Sequence, residues 1–321
     1  MVTALIAASF CHSVEGLLAT QGFLYAIGGI IAYYPSMHYI DEWFVRRKGF
    51  AFGLMWAGTG TSGIVVPFLL EWLLNDYGYQ TALRVWALIL SVLMTPSIFF
   101  VKGRLPTSAA TALRPSDLSF LKKAPFWIFE ISTISQSLGF FLPSLWLPSF
   151  ALALGLPKYA GTLGLSLYSI AYCFGAMLLG HLVDRFHVTT VILVSTIGQM
   201  IAIFLFWGLT TGEPMLYAFA ILFGAFGGGF SATWSGCATA MRRREPNGGN
   251  IDMGLVIALL ASGKGIGAVI SGPLSERLLE AGGKWHASYA YGSGYGVLIV
   301  FSGISATLGG TAWIGRLLKL V

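Results

Sequence analysis

Long apolar blocks separated by short polar intervals run along the whole chain. About 20 helical residues cross a hydrocarbon layer of ~30 Å, and nine blocks have at least roughly that length. They are Gly16 to Ile40, Phe50 to Leu73, Leu83 to Val101, Pro125 to Phe150, Ala160 to Val183, Thr189 to Leu209, Pro214 to Cys237, Met253 to Leu274 and Tyr291 to Ile314. The blocks are apolar on every face and do not alternate with period two, which excludes the strands of a lipid-facing β-barrel. The pattern predicts an all-α fold, a polytopic membrane helical bundle.

Composition agrees with this prediction. Of 321 residues, 56% are hydrophobic and 10% are charged, whereas a soluble domain carries about a quarter charged residues. The three cysteines, Cys11, Cys173 and Cys237, are scattered, so the sequence supports neither a disulfide scaffold nor a metal site. We expect the lipid bilayer as a partner, no cofactor and no nucleic acid.

The basic residues predict the direction of the spans. Taken alternately, one set of loops holds fourteen lysines and arginines and the other set holds four. Because positively charged loops stay in the cytoplasm, the richer set and the C-terminus are predicted to be cytoplasmic. The net charge of +6 is therefore a topology signal and not a nucleic-acid footprint.

Two distant segments resemble each other. Gly58-Thr59-Gly60 is followed by Pro67, and Gly263-Lys264-Gly265 is followed by Pro273. A parallel repeat of this kind is typical of membrane proteins with two matching six-helix halves; chance similarity between glycine-rich spans is the competing interpretation. The repeat predicts that its first half begins about 78 residues before Met1. Two spans and most of a third would be missing, and Val2 to Cys11 would be the end of that third span.

Several motifs resemble one family. The stretch from Thr20 to Leu74, KAPFWIFE from Lys123 to Glu130, LPSLWLPSFA, GHLVDRF and SGKGIGAVISGPLS are similar to the major facilitator superfamily, and more narrowly to its fungal monocarboxylate-transporter-like branch. The resemblance implies a twelve-helix fold of which nine full helices and a stub are present. It divides the chain into an incomplete N-terminal bundle (1–101), a cytoplasmic linker (102–124) and a C-terminal six-helix bundle (125–321).

The resemblance implies a secondary active carrier of a small organic solute, without a cofactor and not an enzyme. An organic anion such as a monocarboxylate, with a co-transported proton, is the expected cargo. The span Ala160 to Val183 has no charged residue, although better-known monocarboxylate carriers place an Asp/Arg pair there, so the substrate stays open. The alternative is a non-transporting membrane protein, either a truncated product or a sensor. We expect the plasma membrane, with a vacuolar or other organelle membrane as the alternative.

Two charged residues inside spans are candidates for function. A lysine at the bilayer centre costs ~2.5–3.5 kcal/mol, so Lys264 should face the interior and have a partner. We interpret it as an anchor for an anionic substrate, with Gly263, Gly265 and Gly267 leaving room around it; a structural ion pair is the alternative. Glu130 is a candidate for taking a coupling proton, or it pairs with Lys122, Lys123 or Lys264; an interfacial carboxylate that water can reach is the competing interpretation.

Weaker candidates are polar or aromatic residues in the spans, and the predicted substrate-binding set is Lys264, Tyr34, Gln136 and Trp234. A packed kink at Pro35 is the competing account of the residues around Tyr34. GHLVDRF resembles the superfamily's loop motif, in which Gly180, Asp184 and Arg185 would hold neighbouring helices in one gating state. Asp184 can accept hydrogen bonds from a helix N-terminus or pair with Arg185.

One glycine-rich segment has the letter pattern of a dinucleotide-binding motif but not its structural context. Gly58 to Gly63 reads G-x-G-x-x-G, but it lies inside a span and follows no strand, so cofactor binding is not expected. Close helix packing is the better interpretation, and it also fits Gly49-x-x-x-Gly53 and Gly224-x-x-x-Gly228.

Overall fold

The computed structural model describes residues 1–44, 46–104, 118–244, 251–283 and 287–320. These residues are predominantly helical. The helices are α1 (Val2–Ala8), α2 (Val14–Trp43), α3 (Lys48–Phe100), α4 (Ala124–Ala153), α5 (Lys158–Arg185), α6 (Val188–Trp207), α7 (Glu213–Arg243), α8 (Met253–Gly282) and α9 (Gly296–Leu317). The predicted all-α fold class is confirmed.

Each of the nine apolar blocks falls on a helix. Two of them share α3, which is interrupted at Gly78, where φ is 74°. Glycine adopts this left-handed conformation without the steric cost that a Cβ would bring. The last block was predicted to begin at Tyr291, but α9 begins at Gly296 because a short 3₁₀ turn, Tyr289–Gly292, precedes it.

Seven of the helices in the described ranges are long and apolar enough to cross a membrane: α2, α3 and α5 to α9. The helix α4 has 30 residues, which is long enough, but it is not among the seven. Glu130, Gln136 and several serines lower its mean hydropathy. Glu130, Gln136, Ser132 and Ser137 are buried, whereas Ile131 and Leu145 on the same helix are exposed, so the polar face of α4 lies toward the protein.

The chain forms two compact units. The first comprises residues 1–45 and 65–114 and contains α1, α2 and the later part of α3. Within it, Arg84 Nε donates to Ser9 Oγ over 3.1 Å, and the Arg84 guanidinium lies over the Phe10 ring. Trp43 Nε1 donates to the Lys102 carbonyl oxygen over 2.9 Å. These contacts tie α1 and α2 to the later part of α3.

The second unit comprises residues 46–64 and 115–321 and holds the larger core. In it, α4 packs along α8 and α9, and α5 packs along α7. Stacked and edge-to-face rings fill the centre: Trp207 lies 4.8 Å from Phe219 and 5.9 Å from Phe150, measured between ring centroids. Such ring pairs stabilise a core beyond the area that they bury.

Small residues let the helices of the second unit approach closely. A Cβ on Gly49 would collide with the Gly180 carbonyl oxygen, and one on Gly53 with the Ala176 carbonyl oxygen. Between α5 and α7, a Cβ on Gly175 would collide with the Ala225 backbone. The predicted packing role of Gly49 and Gly53 is therefore confirmed, and G-x-x-x-G spacing serves backbone contact here as it does in other membrane helices.

We predict that Gly175→Ala destabilises the protein by ~1–3 kcal/mol, because the new methyl group must push two backbones apart. Thermal unfolding of the purified chain in detergent measures the change. The matched control is Gly58→Ala, since nothing lies within 4 Å of a Cβ at that position. Equal unfolding temperatures for the two variants would contradict the close contact.

Candidate functional site

Lys264 lies near the middle of α8, and its charge is surrounded by aromatic rings. Its Nζ lies 4.3 Å from the centroid of Phe140, 5.5 Å from Trp56, and 5.8 Å from both Phe141 and Trp234. All four rings belong to the same unit as Lys264. We call these four rings the aromatic cage. A cation within about 6 Å of a ring face is attracted to the π electrons.

Ser231 supplies the polar contact. Lys264 Nζ donates to Ser231 Oγ over 2.7 Å, and Ser231 itself is buried. Ser231 lies in an irregular part of α7, where a π turn at Gly224–Gly228 passes into a 3₁₀ turn at Gly229–Thr233. Such interruptions of a helix are frequent at functional sites. Three helices thus bring polar and aromatic groups to one lysine: α4, α7 and the first part of α3.

The Lys264 amino group has no carboxylate partner in the part of the chain that the structure describes. Its side chain is half-buried, as are Trp56 and Phe141, whereas Phe140 and Trp234 are buried. The buried indole N–H of Trp234 has no hydrogen-bond acceptor among the described residues. The site therefore holds a cation and donor groups, and its accessible face consists of Lys264, Trp56 and Phe141.

Glu130 lies on α4 and is 6% exposed. Its Oε1 packs against Gly263 of α8, and its Oε2 is buried without a hydrogen-bond partner in the described ranges. Among the described residues the Glu130 carboxylate forms no ion pair, so the alternative pairing with Lys122, Lys123 or Lys264 is not observed. A buried carboxyl group without a cation is costly to ionise.

The glycines of α8 do not all serve Lys264. A Cβ on Gly263 would collide with Glu130, and one on Gly267 would collide with Ser137. Both glycines therefore allow α8 to approach α4. Gly265 differs, since nothing lies within 4 Å of a Cβ there. The expectation that all three leave room around Lys264 is corrected for Gly263 and Gly267.

Gln136 is buried in a separate hydrogen-bond network. Its Nε2 donates to Gln199 Oε1 over 3.0 Å, and Gln199 Nε2 donates to Ser195 Oγ over 3.1 Å. This network joins α4 to α6. Of the other predicted substrate-binding residues, Trp234 belongs to the aromatic cage, and Tyr34 lies on α2 in the first unit. Gln136 is thus placed as a helix-joining residue.

Asp184 lies in the last turn of α5 and caps the start of α3. Its Oδ1 accepts from the Gly49 backbone N–H over 2.7 Å, and its Oδ2 accepts from the Phe50 N–H over 2.9 Å. The expected contact with a helix N-terminus is therefore present, and the alternative pairing with Arg185 is not: Arg185 is exposed and has no ion pair in the described ranges. Gly180, one turn earlier, permits the close approach.

The loop after Asp184 contains His187, which lies between α5 and α6. His187 caps α6, with its Nδ1 accepting from the Thr189 backbone N–H over 3.3 Å. Burial and the nearby positive charges of Arg316, Arg244 and Arg243 lower the pKa of His187. A neutral imidazole can accept through Nδ1, which is what the cap requires.

Comparison with known proteins identifies the fold family. The family model described as Major Facilitator Superfamily matches residues 160–313, which span α5 to α9 and contain both Asp184 and Lys264. Just under half of the chain is thus similar to the major facilitator superfamily. The protein is an integral, multi-pass membrane protein.

Curated relatives agree with this assignment. The chain is 26% identical over 89% of its length to MFS-type transporter pynF of Aspergillus niger, and covers 65% of that protein. It is 25% identical over its whole length to MFS transporter asaE of Aspergillus flavus, covering 70% of it. It is 24% identical over 85% of its length to Agnestins efflux protein of Paecilomyces divaricatus, covering 62% of it. The chain thus spans about two thirds of the length of these relatives.

Sequence reasoning missed four members of the Lys264 site: Ser231, Trp56, Phe140 and Phe141. Trp56 carried a usable signal, because it lies between Gly53 and Gly60, on a helix whose glycines indicate close packing. Phe140 and Phe141 are two among 23 phenylalanines, and nothing in their spacing sets them apart. Among the described residues there is also no group of three potential metal ligands.

We predict that Asp184→Ala lowers the free energy of unfolding by about 1 kcal/mol, because two N–H groups at the start of α3 lose their acceptor. Unfolding of the purified chain in detergent by a denaturant series measures the loss. Arg185→Ala is the control, since this exposed side chain has no partner in the described ranges and its removal should change little. A loss for Arg185→Ala as large as that for Asp184→Ala would refute the capping role.

Proposed function

We propose that the protein is a secondary transmembrane carrier that moves a small organic anion by alternating access. Similarity to the major facilitator superfamily and the transporter names of its relatives support this activity. One relative is named an efflux protein, which favours export as the direction. The proposed carrier needs no cofactor.

The observation that carries the proposal is that Lys264 lies inside a membrane span without a carboxylate partner among the described residues. A charge inside a membrane span is expensive, and such residues mark substrate or ion pathways. Aromatic rings and one hydroxyl group stabilise this charge, and no carboxylate neutralises it in the described part of the chain. A half-buried cation of this kind can attract an anion from the aqueous phase. Lys264 is therefore our proposed substrate anchor, with Trp234 beside it.

The proposed roles of the remaining residues follow from their contacts. Asp184 and Gly180 hold α5 against the start of α3, so breaking this cap is the proposed gating step. Glu130 is our proposed proton carrier, because it is buried without a cation. Tyr34 stays a proposed substrate contact on α2. The division into residues 1–101, 102–124 and 125–321, a cytoplasmic C-terminus and the plasma membrane remain part of the proposal.

We predict that Lys264→Met lowers anion flux at least tenfold, since the substrate loses its counter-charge. The measurement is flux of labelled monocarboxylates by the purified chain in liposomes, with and without a proton gradient. Lys158→Met is the matched control, because Lys158 is exposed at the start of α5. Unchanged flux in correctly inserted Lys264→Met would remove Lys264 from the site. An absence of flux in every condition would favour the non-transporting alternative.

We predict a second effect for Glu130→Gln. If Glu130 carries the coupling proton, flux by the unaltered chain changes with pH and with the proton gradient, whereas the variant loses this dependence. A pH series of initial rates in the same liposomes measures it. Glu276→Gln serves as the control, because Glu276 is exposed near the end of α8. A pH profile of Glu130→Gln equal to that of the control would show that the coupling role is wrong.

A further inference from the structure

The rings around Lys264 are arranged in two pairs. The aromatic cage contains two edge-to-face ring pairs: Trp56 with Trp234, at a centroid distance of 5.3 Å and an angle of 86°, and Phe140 with Phe141, at 5.0 Å and 81°. One ring of each pair, Trp56 and Phe141, keeps part of its surface exposed, whereas Trp234 and Phe140 are buried. A ligand whose acid group reaches Lys264 must therefore place the rest of its body against aromatic surface.

We propose that this site prefers organic acids whose acid group is attached to a planar, unsaturated body over saturated acids of the same size. The inference rests on the proposed function and deepens it by naming the substrate class. Planar, unsaturated acids, and not the smallest aliphatic monocarboxylates, are then the preferred cargo. Trp56 and Phe141 are the proposed specificity-determining residues.

The acid group is selected by charge. Lys264 Nζ carries three N–H donors, and the contact with Ser231 Oγ uses one of them. In the described part of the chain, no carboxylate competes for the other two. The surrounding rings attract cations and offer no second positive charge, so the acid must meet Lys264 itself. An amide of the same shape lacks the charge and should bind more weakly.

The body is selected by ring geometry. Hydrophobic burial alone does not favour an aromatic ring over its saturated analogue, because burial scales with apolar area. Aromatic pairs gain additional stabilisation from their quadrupoles when they stack with an offset or meet edge to face. Trp56 and Phe141 already lie nearly perpendicular to their buried partners, so a flat ligand can contact their faces or edges. A saturated ring lacks this contribution.

The test compares three probes of nearly equal size: 2-naphthoate, trans-decahydro-2-naphthoate and 2-naphthamide. Isothermal titration calorimetry of the purified full chain in detergent measures each Kd. We expect 2-naphthoate to bind at least tenfold more tightly than either of the other two. Trp56→Leu and Phe141→Leu should each reduce the preference for naphthoate over its saturated analogue at least threefold. Lys264→Met should abolish the preference for the acid over the amide.

Phe174→Leu is the matched control, because Phe174 lies on α5 and is 67% exposed. It should leave both preferences unchanged. Equal or tighter binding of the saturated acid, an unchanged preference in both Trp56→Leu and Phe141→Leu, or no binding of either acid would each overturn the inference. Two different cage variants keep the test decisive if one of them fails to fold.

The outcome separates this inference from the proposed function. If small aliphatic acids cross liposomes in a Lys264-dependent manner while naphthoate does not bind, the substrate class is wrong and the carrier function stands. If naphthoate binds with the expected preference while no acid crosses, the binding class stands and the carrier function is wrong.

Discussion

The contact between the first part of α3 and α5 is the constraint on which the Lys264 site depends. Gly49 and Gly53 let α3 lie directly on the backbone of α5, and Asp184 fixes the start of α3 by accepting from two of its N–H groups. This segment, residues 46–64, belongs to the second unit and not to the unit that holds the rest of α3. Trp56 follows Gly53 on the same helix, so the cage is complete only when this contact is made.

The second determinant is how the protein stabilises a charge within a span. A lysine paired with a glutamate would neutralise itself and leave little for a ligand. Here Glu130 contacts Gly263, the residue before Lys264, yet its carboxyl group makes no ion pair with the lysine. Aromatic rings stabilise the Lys264 charge without cancelling it, and Ser231 orients it from an irregular turn of α7. This arrangement is the basis of the proposal that Lys264 binds an anion.

The sequence could predict the helices and the presence of a basic residue within one of them, because long apolar blocks and a single Lys264 inside a block are local signals. It could also predict that Asp184 meets a helix N-terminus, although not which one. It could not predict the cage, because Trp56, Phe140 and Trp234 lie far apart along the chain and meet only through helix packing. Gln136 shows the same limit, because its place in a span does not reveal that its Nε2 donates to Gln199 Oε1 on another helix. The bounds of α9 differed because a 3₁₀ turn continues the apolar block without continuing the helix.

The most direct test of Lys264 as an anion anchor is a crystal structure of the chain with 6-bromo-2-naphthoate. The anomalous signal of bromine locates the ligand independently of the protein. Our account predicts a bromine peak beside Trp56 and Phe141, with the carboxylate within hydrogen-bond distance of Lys264 Nζ. A bromine peak elsewhere, with Lys264 still bonded only to Ser231, would contradict it.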